Sequence, residues 1–401
     1  MHWLFTTVNK SLFTFVGSMK IQELYSQYFR CELRGRYIHN DHIIPLLENA
    51  SEIVKSERIA YSENGLPIHS VRLGNGTKKV LAWSQMHGNE STTTKALFDF
   101  LKFIQQNEFY VEKISKFLSE YTFVFIPILN PDGALNYTRE NINGVDLNRD
   151  AVTLEEKESV VLRKLFDSFA PDLCLNMHGQ RTIYGTSAGR TVTVSFLAPA
   201  ADPERSITKT RKVAMRHIVR LNAALQLLIP EQVGRYDDSF NENCVGDVFT
   251  MAGVPSLLIE AGHYPGDYQR EKTRELIFYS ILELFNITNF ADQDSGHAEY
   301  FKIPENVVNF KDVIIRNVRL SGYENPVSIA IQYQEVLRNG KICFDPIVDA
   351  IGDLDEWHAH YENDGNKGFA LLNYHEKEGI GEKIVTIIDE FTQNTLFNSA
   401  N

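Results

Sequence analysis

Strand and helix signals alternate along residues 55–290, and this alternation constrains the fold more than any other feature of the chain. Short β-branched or aromatic runs predict strands, and longer segments with apolar residues three and four apart predict helices. Alternation of this kind is typical of an α/β sandwich around a largely parallel sheet. The predicted strands are Lys79–Trp83, Tyr121–Ile128, Asp172–Met177 and Pro255–Ile259, and the predicted helices are Thr92–Gln106, Glu155–Phe169, Ser206–Leu228 and Glu271–Phe285.

The chain is predicted to have three parts. Residues 1–54 form an N-terminal extension and a helical lead-in, with short helices over residues 21–29 and 42–50. Residues 55–290 form the α/β domain, and a polar, turn-rich break at Ala291–Gly296 follows it. Residues 297–401 are predicted to form a small β domain, because Asn-Gly and Asp-Gly turns separate its strands. Those strands are Val307–Val318, Ser328–Val336 and Lys383–Ile388.

Composition narrows the functional class. The 401 residues are 43% hydrophobic and 23% charged, as in ordinary globular proteins. The net charge of -12 argues against general nucleic-acid binding, which needs a basic surface. No window approaches the roughly 18 apolar residues that span a bilayer. The four scattered cysteines contain no Cys-x-x-Cys pair, which favours a reducing, cytoplasmic location over a disulfide framework or a thiolate zinc site.

The first 18 residues are apolar and aromatic, as in a secretory signal peptide. Their apolar stretches are split by Asn9-Lys10-Ser11, and no Ala-x-Ala-like cleavage site follows. We interpret residues 1–18 as an upstream extension from a misjudged start. A secretory signal, which would make the protein secreted, is the alternative.

Polar and charged side chains follow the ends of four predicted strands. In α/β sheets, ligands bind beyond the carboxyl ends of the strands, so these separate segments are expected to meet at one edge. They are His87-Gly-Asn-Glu90 after Lys79–Trp83, Asn130-Pro-Asp-Gly133 with Arg139 and Asp146-Leu-Asn148-Arg149 after Tyr121–Ile128, His178 after Asp172–Met177, and Glu260 after Pro255–Ile259.

The chemistry of these residue types is that of a catalytic zinc site. Catalytic zinc takes three protein ligands and leaves a fourth position open. A His-x-x-Glu pair entering a helix can aim both side chains at one ion, and a histidine at another strand end can supply the third ligand. Bound zinc lowers the pKa of water to about 7 and polarises a carbonyl. A separate carboxylate, for which Glu260 is the candidate, then moves the proton, while arginines stabilise the oxyanion and clamp a carboxylate.

Each motif also has an ordinary structural explanation when taken alone. His-x-x-Glu is expected once by chance among 12 histidines, and Asn-Pro-Asp-Gly is a common turn. His178 could be a buried, hydrogen-bonded histidine, and Glu260 could serve a helix N-terminus. The combination and order of the motifs favour the metal site over these separate explanations.

The combined motifs resemble the zinc carboxypeptidase family, typified by pancreatic carboxypeptidase A, over about residues 60–285. The resemblance implies a mixed eight-stranded sheet between helices and one zinc ion. It also implies a role for each matching residue: His87, Glu90 and His178 as zinc ligands, Glu260 as general base, Arg139 as oxyanion stabiliser, Asn148 and Arg149 as binders of the substrate's terminal carboxylate, and Asp146 as acceptor from the far nitrogen of His87.

The sequence departs from the digestive members of that family in two respects. The stretch from Arg139 to Asn148 is shorter and is similar to compact bacterial members, which include murein-peptide amidases. The tyrosine that the digestive enzymes carry on a mobile loop has two candidates here, Tyr236 and Tyr264.

The expected function is hydrolysis of a peptide or peptide-like amide beside a free carboxylate. The related alternatives are a murein-peptide amidase and an N-acyl amino acid deacylase, which would use the same residue types. An alternative of a different class is a non-catalytic zinc- or peptide-binding module. Inactive relatives usually lose a ligand or the base, whereas this chain keeps all four residues.

Overall fold

The structure is a computed structural model that describes residue 23, residues 25–290 and residues 296–399. The predicted N-terminal extension over residues 1–18, residues 21, 22 and 24 of the first predicted helix, and residues 291–295 of the predicted domain break lie outside these ranges. The chain divides into two compact units. The first comprises Met1–Gln180 and Val192–Glu305, and the second comprises Arg181–Thr191 and Asn306–Asn401. The domain limits inferred from the sequence stay a prediction.

The first unit is built on an eight-stranded mixed sheet. Its central strands are parallel, antiparallel pairs lie towards both edges, and the last pair at one edge is again parallel. The spatial order of the strands is Val54–Tyr61, Pro67–Leu73, Tyr121–Ile126, Lys78–Ser84, Leu173–Gly179, Ser256–Ala261, Val194–Leu197 and Val233–Arg235. This sheet confirms the predicted fold class.

Helices cover both faces of this sheet. Their bounds are Asn40–Glu48, Thr92–Gln106, Val111–Glu120, Pro131–Asn136, Lys157–Phe169, Lys209–Gln226, Val245–Met251 and Glu271–Leu284, and short 3-10 turns lie at Cys31–Leu33, Leu147–Arg149 and His297–Lys302. Within the described residues, no helix combines the length and apolar character that crossing a bilayer requires.

Alternate residues of the central strands pack into two separate hydrophobic clusters. Val80 and Ala82 join the cluster that contains helices Thr92–Gln106 and Glu271–Leu284. Leu81 and Trp83, which point the other way, join the cluster that contains helix Lys157–Phe169. The sheet is therefore buried on both faces, which explains why its central strands are continuous apolar runs in the sequence.

The second unit is a β structure. A four-stranded sheet runs in the order Lys341–Gly352, Val327–Arg338, Phe310–Val318 and His358–Asp364, and a three-stranded sheet contains Ala370–Tyr374, Ile384–Asp389 and Thr395–Asn398. A short pair joins Val307–Val308 to Tyr184–Gly185. The small C-terminal β component of the predicted fold is thus observed, with four strands that the sequence did not predict: Lys341–Gly352, His358–Asp364, Ala370–Tyr374 and Thr395–Asn398.

Candidate metal centre

Strand register brings His178 and Glu260 together. The strands Leu173–Gly179 and Ser256–Ala261 are parallel neighbours, and His178 lies directly opposite Glu260 in their register. Opposite residues of neighbouring strands project to the same face of a sheet, so the imidazole and the carboxylate leave the sheet side by side. Both residues stand at the carboxyl ends of their strands, where α/β proteins bind ligands.

His87 and Glu90 lie in the segment that leads from a third strand of the sheet into helix Thr92–Gln106. It follows strand Lys78–Ser84, which pairs in parallel with Leu173–Gly179. Gln85 takes a left-handed conformation with φ of 43°, and its side-chain amide donates to the Gly88 carbonyl at 2.8 Å. The Glu90 N–H then donates to the His87 carbonyl at 3.1 Å, closing a turn. This turn directs the side chains of His87 and Glu90 towards the same point.

Glycine is required where this turn meets the Asn-Pro-Asp-Gly segment. A Cβ atom built on Gly88 would overlap the carbonyl carbon of Gly133, so the two backbones approach more closely than any side chain permits. Asn130 connects the segments as well: its Oδ1 accepts from the Gly133 N–H at 2.8 Å, and its Nδ2 donates to the Met86 carbonyl at 3.2 Å. This close contact explains Gly88, whereas a Cβ atom on Gly133 would meet Asn130 Nδ2 at 2.5 Å and the Glu140 carbonyl oxygen at 2.7 Å.

Gly88→Ala is therefore expected to destabilise the first unit. Overpacking a tight contact costs about 1–3 kcal/mol, and because the obstacle here is backbone, we expect the upper part of that range. The thermal unfolding midpoint should fall by several degrees relative to Gly296→Ala, since a Cβ at Gly296 meets nothing within 4 Å. Equal midpoints for the two variants would contradict the close approach of the two segments.

Three candidate ligand side chains converge on one point. His87 Nδ1 lies 3.0 Å from Glu90 Oε1, His178 Nδ1 lies 2.9 Å from Glu90 Oε2, and the two Nδ1 atoms lie 3.0 Å apart. Both histidines are 2% exposed. One ligand atom from each residue can be chosen so that all lie within 4.8 Å of one another. Ligand atoms around tetrahedral zinc are about 3.4 Å apart at the usual bond lengths, so this donor set fits zinc with small adjustments.

Asp146 orients His87 from the far side of its ring. Asp146 Oδ1 lies 3.0 Å from His87 Nε2 and also accepts from the Asn148 N–H at 2.9 Å. A neutral imidazole that donates from Nε2 presents a lone pair on Nδ1, which is the atom facing His178 and Glu90. Asp146 Oδ1 therefore stands where it can accept from Nε2 of a neutral His87 and leave the Nδ1 lone pair facing the other two candidate ligands.

Arg139 lies against two of these carboxylates. Its Nη1 donates to Glu90 Oε1 at 3.3 Å and its Nη2 donates to Asp146 Oδ2 at 3.0 Å. The Gly179 N–H donates to the other oxygen of Glu90 at 2.9 Å. The side chain of Arg139 is 44% exposed, so it is partly open to solvent beside the candidate ligands. This position suits a cation that meets negative charge developing next to the metal.

Glu260 is a buried carboxyl beside the candidate ligands. It is 9% exposed, and its Oε2 has no hydrogen-bond partner among the described residues. Burial, reinforced by the nearby Glu90 carboxylate, raises the pKa of Glu260 well above its usual value. A carboxyl with one free oxygen and a raised affinity for protons is suited to accept a proton and release it again.

The two histidines experience opposite electrostatic effects. Burial disfavours the charged form of His87, but the carboxylates of Glu90 and Asp146 outweigh burial and raise its pKa to about 9. Burial is the largest effect on His178 and lowers its pKa. His178 is accordingly held as a neutral imidazole, the form that binds a metal ion.

Asn148 and Arg149 follow Asp146 in a short 3-10 turn. Arg149 is exposed, and its Nη1 donates to the Asn148 carbonyl at 2.9 Å. Two residues that the sequence analysis missed fasten this turn: Asn243 Nδ2 donates to the Arg149 carbonyl, and Cys244 Sγ donates to Asn148 Oδ1 at 3.6 Å. No local signal could have identified them, because they lie more than 90 residues away along the chain.

The two tyrosine candidates are placed by their contacts. Tyr264 packs against the larger hydrophobic cluster, and the Tyr236 N–H donates to the Phe196 carbonyl at 3.0 Å. Neither contact assigns a substrate-binding tyrosine.

Comparison with known protein families matches the part of the chain that contains the three candidate ligands. The profile of the zinc carboxypeptidase family matches residues 40–188, which include the three candidate ligands but not Glu260. Carboxypeptidase 2 of Trichophyton rubrum is 27% identical over 104 residues, covering 25% of this chain and 19% of the relative. Carboxypeptidase 2 of Trichophyton tonsurans is 28% identical over 102 residues, covering 25% and 18%. The chain spans about a fifth of the length of these curated relatives.

A solved structure supports the fold over a longer stretch. A provisionally assigned carboxypeptidase A from Shewanella denitrificans superposes with a TM-score of 0.51 at 17% identity, covering 66% of this chain and 70% of that one. At this identity the similarity concerns the fold alone. The model of the zinc carboxypeptidase family thus matches residues 40–188 of this chain, and the resemblance inferred from the motifs is confirmed over that segment.

Proposed function

We propose that the protein is a zinc-dependent metallocarboxypeptidase, which hydrolyses a peptide or peptide-like amide next to a free carboxylate. One observation carries the proposal: His87, Glu90 and His178 meet at one edge of the sheet, and the free buried carboxyl of Glu260 lies on the neighbouring strand. The match of the zinc carboxypeptidase family to the segment that holds the three ligands supports the same conclusion.

His87, Glu90 and His178 would hold a single zinc ion. The donor set of two imidazole nitrogens and a carboxylate is that of catalytic zinc with one open coordination position. When bound there, zinc supplies Lewis acidity that lowers the pKa of water and polarises a carbonyl group. With zinc bound, Asp146 would keep the neutral His87 ring in the ligating tautomer, through the contact of 3.0 Å to Nε2.

The other residues of the site would move the proton and stabilise charge. Glu260 accepts a proton from the attacking water and passes it to the nitrogen of the leaving amine. Arg139 stabilises the oxyanion that forms on the scissile carbonyl, because its guanidinium is held beside Glu90 and Asp146 by two ion pairs.

Asn148 and Arg149 would select substrates with a free carboxylate. Arg149 is an exposed cation three residues beyond Asp146, and an arginine binds a carboxylate with two parallel hydrogen bonds. Anchoring the terminal carboxylate places the last amide of the substrate over the metal. This arrangement gives exopeptidase rather than endopeptidase specificity.

Two related activities and one of a different class compete with this proposal. The compact segment Thr138-Arg139 to Asn148-Arg149 supports a murein-peptide amidase, and the same residue types would serve an N-acyl amino acid deacylase. The third alternative is a module that binds zinc or a peptide without turnover. The presence of Glu260 as a free buried carboxyl argues against the third.

A substrate panel tests the proposal and separates the alternatives. Dipeptides and longer peptides, murein peptides and N-acyl amino acids are each offered with a free carboxylate and as the carboxamide. We expect cleavage of the free acids, and the class cleaved fastest identifies the activity. Arg149→Ala should reduce kcat/KM for the free acids by about 10- to 100-fold, since hydrogen bonds to charged groups contribute about 1.5–3 kcal/mol.

The control for this variant is Arg216→Ala, which removes an exposed arginine from helix Lys209–Gln226 and should leave kcat/KM unchanged. If every free acid resists hydrolysis, the enzyme proposal fails. If free acid and carboxamide are cleaved equally and Arg149→Ala has no effect, the assignment of Arg149 fails while hydrolysis itself stands.

We also propose a cytoplasmic location. Its support is that all four cysteines are unpaired, at Cys31, Cys174, Cys244 and Cys343, as expected in a reducing compartment.

A further inference from the structure

A second group of acidic residues lies in the first unit and has no part in the proposed reaction. It consists of Glu63, in the turn between strands Val54–Tyr61 and Pro67–Leu73, and of Glu156 and Glu158, at the start of helix Lys157–Phe169. One carboxylate oxygen from each can be chosen so that all three lie within 4.8 Å of one another. We call these three residues the acidic pocket. Glu156 and Glu158 are 6% and 0% exposed, so the pocket is largely removed from water.

Two of the three carboxylates are partly compensated. Glu63 Oε1 accepts from the Lys157 N–H at 2.9 Å, and Lys157 Nζ lies 3.1 Å from Glu63 Oε2. Glu156 Oε2 accepts from the side-chain amides of Asn141 and Asn143 at 2.6 and 2.8 Å. Of these partners, Lys157 is exposed and Asn141 is buried.

The third carboxylate has an oxygen without a partner. Glu158 Oε1 accepts from the Glu63 N–H at 3.0 Å, whereas its Oε2 is buried and has no hydrogen-bond partner among the described residues. Burying an ionised carboxylate oxygen without a partner is energetically unfavourable, so such atoms normally bind a cation, a hydrogen-bond donor or a proton.

The charges around Glu158 increase this cost. Burial is the largest influence and raises its pKa, and the neighbouring carboxylates of Asp132 and Glu63 raise it further. Hydrogen bonds from the backbone N–H groups of Glu63 and of Glu158 itself act in the opposite direction and lower this pKa. Burial and the neighbouring carboxylates outweigh these hydrogen bonds, because the pKa of Glu158 is raised overall.

We propose that the acidic pocket of Glu63, Glu156 and Glu158 is a binding site for a divalent cation, and that the cation is calcium. All the available ligand atoms are oxygens. This argues against zinc as the cation, because zinc prefers nitrogen and sulfur ligands. Calcium accepts six to eight oxygens at 2.3–2.6 Å in flexible geometry, and oxygens on opposite sides of it are about 4.8 Å apart. Magnesium demands a smaller, near-ideal octahedron and usually keeps several waters, which this buried pocket suits less well.

A cation in the acidic pocket would stabilise the segment that carries the proposed substrate-binding residues. Glu156 accepts hydrogen bonds from the side chains of Asn141 and Asn143. The turn that contains these two asparagines lies between Arg139 and Asp146 along the chain. The inference does not require the proposed peptidase activity, because it concerns binding and stability.

Calcium titration of the full-length, zinc-loaded protein tests the proposal. After treatment with a calcium chelator and dialysis, calcium is added while zinc is kept constant, and binding is followed by calorimetry and by elemental analysis. We expect one calcium per chain in addition to zinc. The unfolding midpoint should rise by about 5–10 °C at a hundred times the dissociation constant.

Glu158→Gln and Glu155→Gln form the matched pair of variants. Glu155 is exposed, three residues away from Glu158, and lies in the same segment. We expect Glu155→Gln to keep the calcium response and Glu158→Gln to lose it, with zinc content unchanged in both. If Glu158→Gln fails to fold, Glu63→Gln, at a half-buried position, replaces it and should weaken calcium binding.

Three results would overturn the calcium site. The first is that the wild-type protein neither binds calcium nor shows a shift of its unfolding midpoint. The second is that Glu158→Gln responds to calcium as Glu155→Gln does. The third is that the wild-type protein is insensitive to calcium and Glu158→Gln is more stable than it. The last result would mean that Glu158 simply holds a proton. Peptide hydrolysis measured on the same samples tests the peptidase proposal separately, since it can fail while calcium binds, or succeed while calcium does not.

Discussion

Replacing Glu260 with glutamine is expected to abolish turnover while the protein keeps its zinc. Glutamine has nearly the same shape as glutamate but cannot accept the proton of the attacking water. Removing a general base typically lowers a rate by about 10²- to 10⁴-fold, so kcat should fall within that range. Zinc content should stay unchanged, because Glu260 lies beside the three candidate ligands and is not one of them. The measurements are kcat on the best substrate of the panel and elemental analysis of zinc on the same preparation.

The matched control is Glu204→Gln, which alters an exposed glutamate and should leave both quantities unchanged. Full turnover in Glu260→Gln would move the base to another residue. Loss of zinc together with turnover would indicate that Glu260 supports the metal centre instead of acting as the base.

His178→Ala is expected to lose zinc and, with it, activity. His178 Nδ1 lies 3.0 Å from His87 Nδ1 and 2.9 Å from Glu90 Oε2, so its removal leaves two of three protein ligands. Changes in residues that merely orient ligands weaken metal affinity by about 10- to 100-fold, so loss of a ligand should cost more than about 100-fold. Competition with a chromophoric chelator measures this affinity directly, and the circular dichroism spectrum checks that the variant is folded.

His375→Ala provides the comparison, because His375 is exposed and belongs to the second unit. It should bind zinc as the wild-type protein does. Full zinc retention by a folded His178→Ala protein would overturn the ligand assignment, and with it the reason for placing the reaction at this edge of the sheet.

Several elements of the fold could be predicted from local sequence because their physical basis is local. Helix Thr92–Gln106 was predicted with its observed bounds, since its apolar residues recur with helical spacing. The strand Val54–Tyr61 was missed because it is at the edge of the sheet and mostly polar, as is expected of a strand with exposed residues. Val233–Arg235 has only three residues, too few for a periodicity to appear.

The residues of the candidate site also divide into those that local sequence identifies and those that it does not. His87 and Glu90 were identifiable as a pair because a single turn joins them, and Asp146 because it precedes Asn148 and Arg149 in a family motif. The contacts from Asn243 and Cys244 could not be identified from the sequence, and neither could the contact between Glu63 and Glu158. Each of these contacts joins residues more than 90 positions apart.

By itself, the sequence determined which chemical groups stand at the ends of the strands, since hydrophobic periodicity and turn-forming residues act over a few neighbours. Only the tertiary structure decided that His178 lies opposite Glu260, that Gly88 meets Gly133, and that three glutamates share one buried pocket. Strand register and backbone contacts of this kind depend on packing between distant segments, and the free energy of that packing is not set by the residues on either side in the sequence.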